Sequence, residues 1–579
     1  GHLLGTTEKE VRETRRKLGL KPVYKLVDTC AAEFEAETPY YYSTWQGEDE
    51  VVTSDRPKIL VVGSGPIRIG QGIEFDYCSV HAALSVKKLG YEAVVINNNP
   101  ETVSTDFATA DRLYFDPLTL EDLLNVIEKE KILGVLIQFG GQTAINLAAQ
   151  LEEEGIKLLG PTAKTIDNLE DRELFYNVLH ELEIPHIQGE MVPNPEELKQ
   201  AAERLGFPIL IRPSYVIGGQ SMFIFYDQKE LGRAIETNLH SGLWPLLVDR
   251  YLPGLEFEVD AVSDGEEMVV PGLFEHIEKA GIHSGDSVAV FPPVSVPKAV
   301  QQLAVDYTKK LCKACHIIGL INIQFVFAND ILYVLEVNPR ASRTVPIISK
   351  VTGFPLVDTA VAVQLGKKLR DVTNEKEWMT PPAFYSVKAP VFSSVKLNGV
   401  DPVLGPELKS TGEALGLGET LEEAFEKALF LGKGNPFKST EKASKLLCSI
   451  SLREQGESLP LLKHLQDKGF ELVATPQTAR FLVQNGVAVT QTVTTFEEIK
   501  TLFEAKTVSA VINCPTNGRN RTTFGFQLRA EAIKCQVPVF TCLDTVKAAL
   551  TLQLTSDQIK VKTLVDYRQD SKKGSGLHV

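Results

Sequence analysis

The run Ile59-Leu60-Val61-Val62, leading straight into Gly63-Ser64-Gly65-Pro66, constrains the fold more than any other feature of the sequence. Consecutive apolar residues leave no polar face, so a strand built from them must be buried on both sides, as in a parallel sheet covered by helices. The next hundred residues repeat that logic. Helices are expected over 77–89 and 120–130, strands over 92–97 and 134–138, and Gly140-Gly141-Gln142 opens a further helix. This β-α-β-α-β alternation reads as a Rossmann-like layer over residues 56–165. The glycines do not spell the dinucleotide fingerprint. No third glycine falls at the required spacing after Gly63 and Gly65, and Gly70 and Gly72 lie on a longer loop.

At 579 residues the chain is too long for one core and reads as roughly three to five domains. Residues 1–55 open with a charged helix over 7–18, followed by a less regular segment containing Tyr40-Tyr41-Tyr42. Residues 166–375 mix strands and helices with hairpin spacing, which suggests an α+β nucleotide clamp; Ala328-Asn329-Asp330 is a hairpin turn. The Pro- and Gly-rich stretch 376–440 reads as a connecting segment, and 441–579 as a separate small α/β domain. The fold class expected is thus multidomain α/β.

A net charge of -15 counts against a general nucleic-acid or membrane-surface binder. No stretch approaches the ~20 apolar residues of a membrane helix. Eight scattered cysteines read as reduced thiols of a cytoplasmic protein. Cys312-Lys313-Ala314-Cys315-His316 matches a haem-attachment string, but it ends an amphipathic helix over 300–315, so the reading is buried helix thiols, not haem.

The chemistry concentrates at Gln324, Glu336 and Asn338. On a hairpin the first two lie on neighbouring strands, and two-residue periodicity puts Glu336 and Asn338 on one face. Carboxylate and amide oxygens suit Mg²⁺, completed by water and phosphate oxygens. Arg340 and Arg343 come at once after them, placed to neutralise a transferring phosphoryl group. Arg212 ends a strand before Pro213-Ser214 and Gly218-Gly219, the arrangement of a guanidinium beside a glycine flap over nucleotide phosphates. Bland readings exist for each: a turn cap at Glu336, an exposed hairpin arginine at Arg212, and a solvent loop at His283–Ser287.

Several long segments resemble the large chain of carbamoyl-phosphate synthase. They are the stretches from Gly63 to Asp76, Asn99 to Asp106, Arg212 to Gly219, Glu275 to Ser287 and Glu336 to Arg340. That large chain carries two homologous ATP-grasp halves, and the order here matches the second, which phosphorylates carbamate. The resemblance implies a pre-ATP-grasp domain, an ATP-grasp domain and a methylglyoxal-synthase-like allosteric domain, with residues 1–55 as the end of an oligomerisation region. It implies that Arg172, Arg212, Gly218 and Gly219 contact ATP phosphates. Asp249, Arg250, Leu252 and Glu256 would line the adenine and ribose, continued by Gly281, Ile282, His283 and Ser284. Gln324, Glu336 and Asn338 would hold Mg²⁺ or Mn²⁺, Arg340 and Arg343 would orient carbamate and phosphate, and His276 and Ser287 would lie near K⁺. Thr475, Thr478 and Asn513 fit the effector pocket of the last domain. The implied partners are an N-terminal synthetase half and a glutaminase small subunit in an oligomeric enzyme. Three positions depart from the family pattern: Gln220 in place of arginine, Thr494 in place of lysine, and Ala389 in place of glutamate. The alternatives weighed are another ATP-grasp ligase, of acid–amine or biotin-carboxylase type, and a nucleotide-binding regulatory module without turnover.

Overall fold

The computed structural model describes residues 1–66, 72–213, 222–237, 243–394, 400–430, 434–438, 444–515, 522–552, 554 and 558–575. Its strands fall, among these residues, into four sheets. The first comprises β1 (Val23–Leu26), β2 (Tyr40–Thr44), β3 (Lys58–Val62), β4 (Glu92–Ile96), β5 (Arg112–Tyr114) and β6 (Gly134–Leu136), in the order β1-β2-β5-β4-β3-β6. Strand β3 is buried along its whole length and pairs in parallel with β4 and β6, as its uninterrupted apolar run requires.

The segment 1–55 is more ordered than its sequence suggests. Its Glu8–Lys17 helix begins with a capping box between Thr7 and Glu10, and β1 and β2 extend the Rossmann-like sheet through parallel pairing of β2 with β5. Aromatic packing holds this edge: Tyr24 and Tyr41 lie with ring centroids 5.0 Å and 5.5 Å from Tyr114. Strands this short owe their existence to tertiary contact, which no local pattern encodes.

The second sheet, β7 (Gly189–Val192), β8 (Ile209–Pro213), β9 (Phe223–Phe225) and β10 (Leu246–Arg250), forms the small jaw of a clamp. The third forms the large jaw. It contains β11 (Leu255–Asp264), β12 (Met268–His276), β13 (Ala289–Phe291), β14 (Ile318–Ala328), β15 (Ile331–Asn338), β16 (Tyr385–Val391) and β17 (Gly412–Gly418). Part of the stretch read as a connecting segment therefore contributes β16 and β17 to this sheet. The β14–β15 turn has Asn329 and Asp330 at φ 51° and 61°, the left-handed pair of a two-residue hairpin turn. The fourth sheet is parallel: β18 (Lys445–Ile450), β19 (Glu471–Ala474), β20 (Gln491–Thr492), β21 (Val508–Cys514) and β22 (Val539–Phe540). No single helix among the described residues is long and apolar enough to cross a membrane; the bent pair Val345–Thr352 and Leu356–Gln364 packs in the main core.

Candidate functional site

Strands β11, β14 and β15 place the polar residues in rows. Glu258 lies opposite Gln324 and Gln324 opposite Glu336, and the next row is Asp260, Asn322 and Asn338. Residues directly opposite in antiparallel strands share a face. The other face is core, with Phe257, Val259, Ile323, Phe325, Val334 and Val337. Strict alternation from Leu332 and Val334 would send Glu336 into that core. A register shift after Gln324 leaves Leu335 as an extra residue, so Glu336 and Asn338 turn to the polar face. The bulge, not the periodicity alone, makes the site.

Hydrogen bonds lock the rows. Asn338 Nδ2 donates to Glu336 Oε1 at 3.1 Å, and Asn322 Nδ2 donates to Glu258 Oε2 and Asp260 Oδ1, both at 3.0 Å. Gln324 Nε2 donates to Ser284 Oγ at 3.1 Å, which leaves the Gln324 amide oxygen available beside Glu336. No group of three His, Cys, Asp or Glu suited to a metal is found among the described residues. A site with one carboxylate and two amides matches the oxygen-rich coordination of an ion carried in on phosphates.

Asp260, buried at 2% exposure, anchors the loop after β15. Its carboxylate accepts from Ser342 Oγ at 2.6 Å and from Thr344 Oγ1 at 2.5 Å. Burial, reinforced by the charge of Glu258, pushes its carboxyl up to about 7. The same loop carries the two arginines. Arg340 Nη2 donates to Asn338 Oδ1 at 3.0 Å and Nε to Gln142 Oε1 at 3.1 Å. Arg343 Nε donates to Glu74 Oε1 at 2.9 Å and Nη1 to Ser410 Oγ at 2.7 Å, while Nη2 is buried without a partner among the described residues. Such an orphaned donor fits an anionic ligand. Glu413, near Arg343 at 3.9 Å, is pushed up to about 7 by burial, and Lys388 Nζ donates to Ser284 O at 2.7 Å from a fully buried position.

Across the cleft, Asp249 gathers Arg172 and Arg212, at 3.6 Å and 3.1 Å. Tyr176 OH donates to the same carboxylate at 3.3 Å. Burial pushes the Asp249 carboxyl up, with Arg172 opposing in part. Arg212 Nε is buried without a partner among the described residues. Gly218, Gly219 and Gln220 lie outside the described residues. Arg250, the last residue of β10, is exposed, and Leu252, in the connection to β11, is buried. Gly281 has φ +104°, and a Cβ there would meet the Tyr251 ring at 2.8 Å, so this close approach requires glycine. Beyond Ile282, the imidazole of His283 is pushed down to about 4 by burial, so it is neutral at pH 7 and accepts from Gly285 N at 3.1 Å.

Glu256 sits on the polar face, 3.3 Å from His276 Nδ1, with Glu258 3.4 Å from Nε2. Burial alone would lower the imidazole's pKa; the two carboxylates outweigh it and raise it to about 9. His276 thus lies between two carboxylates that favour its protonated form, hydrogen-bonded to Glu258 through Nε2, while Nδ1 faces Glu256 without a hydrogen bond. Ser287 Oγ is likewise buried with no hydrogen-bond partner among the described residues.

In the fourth sheet, Thr475, Thr478 and Asn513 converge at the carboxyl ends of parallel strands. Thr475 Oγ1 donates to Thr478 Oγ1 at 3.2 Å and Ser449 Oγ at 3.5 Å, and Asn513 Nδ2 donates to Ser449 O at 2.9 Å. Arg529, 1% exposed, donates to Asn513 Oδ1 from behind and to Asp401 Oδ2 at 2.6 Å. Thr494 is turned to its own helix start, donating to Glu498. Ala389 is buried on β16.

The structure brings Gln324, Glu336, Asn338 and the two arginines together as neighbours. It adds Glu258, Asp260, Asn322, Glu74 and Gln142, which sequence reasoning missed. A signal for two of these was present: Glu256, Glu258 and Asp260 alternate with apolar residues along one strand. Glu74 and Gln142 come from beyond the large jaw and leave no such trace.

A large jaw with a polar face, a small jaw of four strands and a Rossmann-like layer together form the ATP-grasp fold. Family models match accordingly: the carbamoyl phosphate synthase preATP-grasp domain over residues 55–168, the carbamoyl-phosphate synthase L chain ATP binding domain over 171–372, and the MGS-like domain over 457–541. The chain belongs to the carbamoyl-phosphate synthase large-chain family. It is 48% identical over 569 residues to the carbamoyl phosphate synthase large chain of Clostridium botulinum, covering 97% of this chain and 52% of that one. It is likewise 48% identical to the arginine-specific large chain of Halalkalibacterium halodurans, covering 93% of this chain and 49% of that one. The chain thus spans about half the length of these relatives. Among solved structures, the biotin carboxylase domain of 2-oxoglutarate carboxylase from Hydrogenobacter thermophilus, in complex with MgADP, ADP and bicarbonate, shares the fold. The match has a TM-score of 0.50 and 18% identity, and covers 64% of this chain and 88% of that one.

Proposed function

We propose that the chain transfers the γ-phosphate of ATP to carbamate, giving carbamoyl phosphate and ADP, as one half of carbamoyl-phosphate synthase. The observation that carries this reading is the row Gln324–Glu336, continued by Asn338, beside the loop of Arg340 and Arg343, in a chain of that family. Gln324, Glu336 and Asn338 would hold Mg²⁺ or Mn²⁺, which when bound supplies charge to the phosphate oxygens. Arg172 and Arg212, with Gly218 and Gly219, would hold the phosphates; the segments at 249–252 and 281–284 would hold the adenosine, with Glu256 behind them. Ser287 Oγ fits a ligand to K⁺, whereas protonated His276 contributes charge and not a lone pair.

Carbamate would be held by Arg343, whose Nη2 has no other partner among the described residues, and by Arg340. A carbamate oxygen then attacks the γ-phosphorus in line as the bond to the β-phosphate oxygen breaks. Positioning and charge neutralisation lower the barrier, without a covalent enzyme intermediate. Asp260 keeps Ser342 and Thr344, and so both arginines, in place. The small jaw excludes water from a carbamate that would otherwise hydrolyse. An N-terminal synthetase half would supply carbamate and a glutaminase subunit ammonia, within a cytoplasmic oligomer. Thr475, Thr478 and Asn513 would bind an effector.

The test is the reverse reaction. The chain given carbamoyl phosphate and MgADP should form ATP, and should not carboxylate free biotin with MgATP and bicarbonate. Absence of ATP from folded protein would overturn the reading; biotin carboxylation would favour a biotin-carboxylase-type ligase.

A further inference from the structure

Residues around the start of the Gln455–Asp467 helix contact both jaws. Arg453, just before it, reaches the small jaw. Its guanidinium carbon lies 3.4 Å from the centroid of the Tyr226 ring, and Nη2 donates to Glu230 Oε1 at 2.7 Å. Glu230 Oε2 in turn accepts from Tyr226 N at 3.1 Å, so cation, ring and carboxylate form one unit. The side chains are only 31% and 18% exposed for Arg453 and Glu230, which spares the contact most solvent screening. One helical turn on, Glu457 accepts from Lys279 Nζ at 3.0 Å. Lys279 belongs to the large jaw, two residues before the Gly281–Ser284 wall. Residues 453 and 457 therefore grip different jaws.

The same turn is tied to the pocket in the fourth sheet. Ile450 N donates to Thr478 Oγ1 at 2.9 Å, and Ser451 N donates to Cys514 O at 2.9 Å, three and two residues before Arg453. On the far side, Tyr226 packs edge-on against Tyr251, in the connection between the jaws, with centroids 6.1 Å apart, and Tyr251 OH donates to Ala280 O, next to Lys279 of the large jaw. A continuous path of contacts runs from Thr478 through Arg453 to the small jaw and its connection to the large jaw.

We propose that Arg453 is a positioning residue that fixes the small jaw from the C-terminal domain, so that the state of the Thr475–Thr478 pocket sets how readily the clamp opens. This rests on reading the clamp as a nucleotide site. A tether of cation–π and ion-pair strength shifts an open–closed equilibrium by about tenfold. Long-range coupling needs such a two-position element biased from both ends, and on this proposal the small jaw takes that part.

Hydrogen exchange of the Gln228–Thr237 helix and β9 reads the tether without substrate. Arg453→Ala should raise exchange there about tenfold and speed release of a fluorescent mant-ADP severalfold, at a global melting temperature close to wild type. Arg453→Lys, which keeps the charge but loses the planar stack, should fall between. Thr478→Val should alter small-jaw exchange in the wild-type background and not in Arg453→Ala, a non-additive cycle. Glu230→Gln cuts the tether at its other end, so a misfolded Arg453→Ala would still leave the idea decidable. Unchanged small-jaw exchange in Arg453→Ala and Glu230→Gln, or strict additivity with Thr478→Val, would overturn the proposal. Failure of the wild type to bind mant-ADP would overturn the nucleotide reading alone, since the exchange measurements need no ligand.

Discussion

The large-jaw sheet and the C-terminal sheet of this chain use polar side chains differently. In the antiparallel sheet of the large jaw, charge is buried across a face: Glu256, Glu258 and Asp260 are 4%, 4% and 2% exposed. In the parallel sheet of the C-terminal domain, the pocket is lined by hydroxyls and an amide at strand ends, already bonded to one another and to Ser449. Burying a carboxylate costs far more than burying a hydroxyl. The first arrangement persists because each charge has a task or a partner: His276 for Glu256 and Glu258, the arginine loop for Asp260. The second presents hydroxyls and an amide to a ligand, with the ion pair of buried Arg529 with Asp401 set behind Asn513. On the proposed function, chemistry is built on the first sheet and recognition on the second.

That contrast can be broken most sharply at the strand-end carboxylate. Glu336→Ala should lower ATP formation from carbamoyl phosphate and MgADP by about 10³-fold, whereas Thr475→Ala should stay within about twofold, both read as initial rates. Equal losses would erase the division of labour.

Stability should divide in the same way. Asp260→Ala removes the carboxylate acceptor of Ser342 and Thr344 and one of the two acceptors of Asn322 Nδ2, and should cost roughly 3 kcal/mol, while Thr478→Ala should cost about 1 kcal/mol, measured by urea denaturation of each transition. Arg212→Ala should weaken ADP binding about tenfold in a calorimetric titration, since Asp249 retains Arg172 as a second cation.

The remaining test concerns pH. The folded-state pKa of His276 is about 9, above the ~6.5 of a free imidazole. A raised pKa means its contribution to stability is complete below about pH 6.5 and fades as pH rises through about 9. The denaturation midpoint of wild type should therefore fall over that window relative to His276→Gln. Parallel curves for the two proteins would show that the histidine is not held as a cation.

Much of the fold was legible in the sequence. The doubly buried strand β3, the Asn329–Asp330 hairpin and the pairing of Gln324 with Glu336 come from local pattern. The resemblance to a known family supplied the domain order. What stayed hidden was set by contacts between distant residues. Leu335 looks like any other member of an apolar run, yet as the bulged residue it decides which face Glu336 occupies. Glu74 and Gln142 reach the arginines from 269 and 198 residues away, and spacing carries no record of that. The strands β1 and β2 exist because Tyr114 offers an aromatic edge to pack on. The glycine flap at Gly218-Gly219 lies outside the described residues, so its part in the site rests on the family resemblance.

The central claim is that Glu336, with Gln324 and Asn338, seats the divalent ion of the nucleotide. Its most direct measurement is a titration of Mn²⁺ with ADP read by electron paramagnetic resonance, comparing wild type with Glu336→Gln. Wild type should bind Mn²⁺ in a nucleotide-dependent way, and Glu336→Gln should lose about tenfold or more of that affinity. Equal Mn²⁺ affinity in the two proteins would contradict the claim.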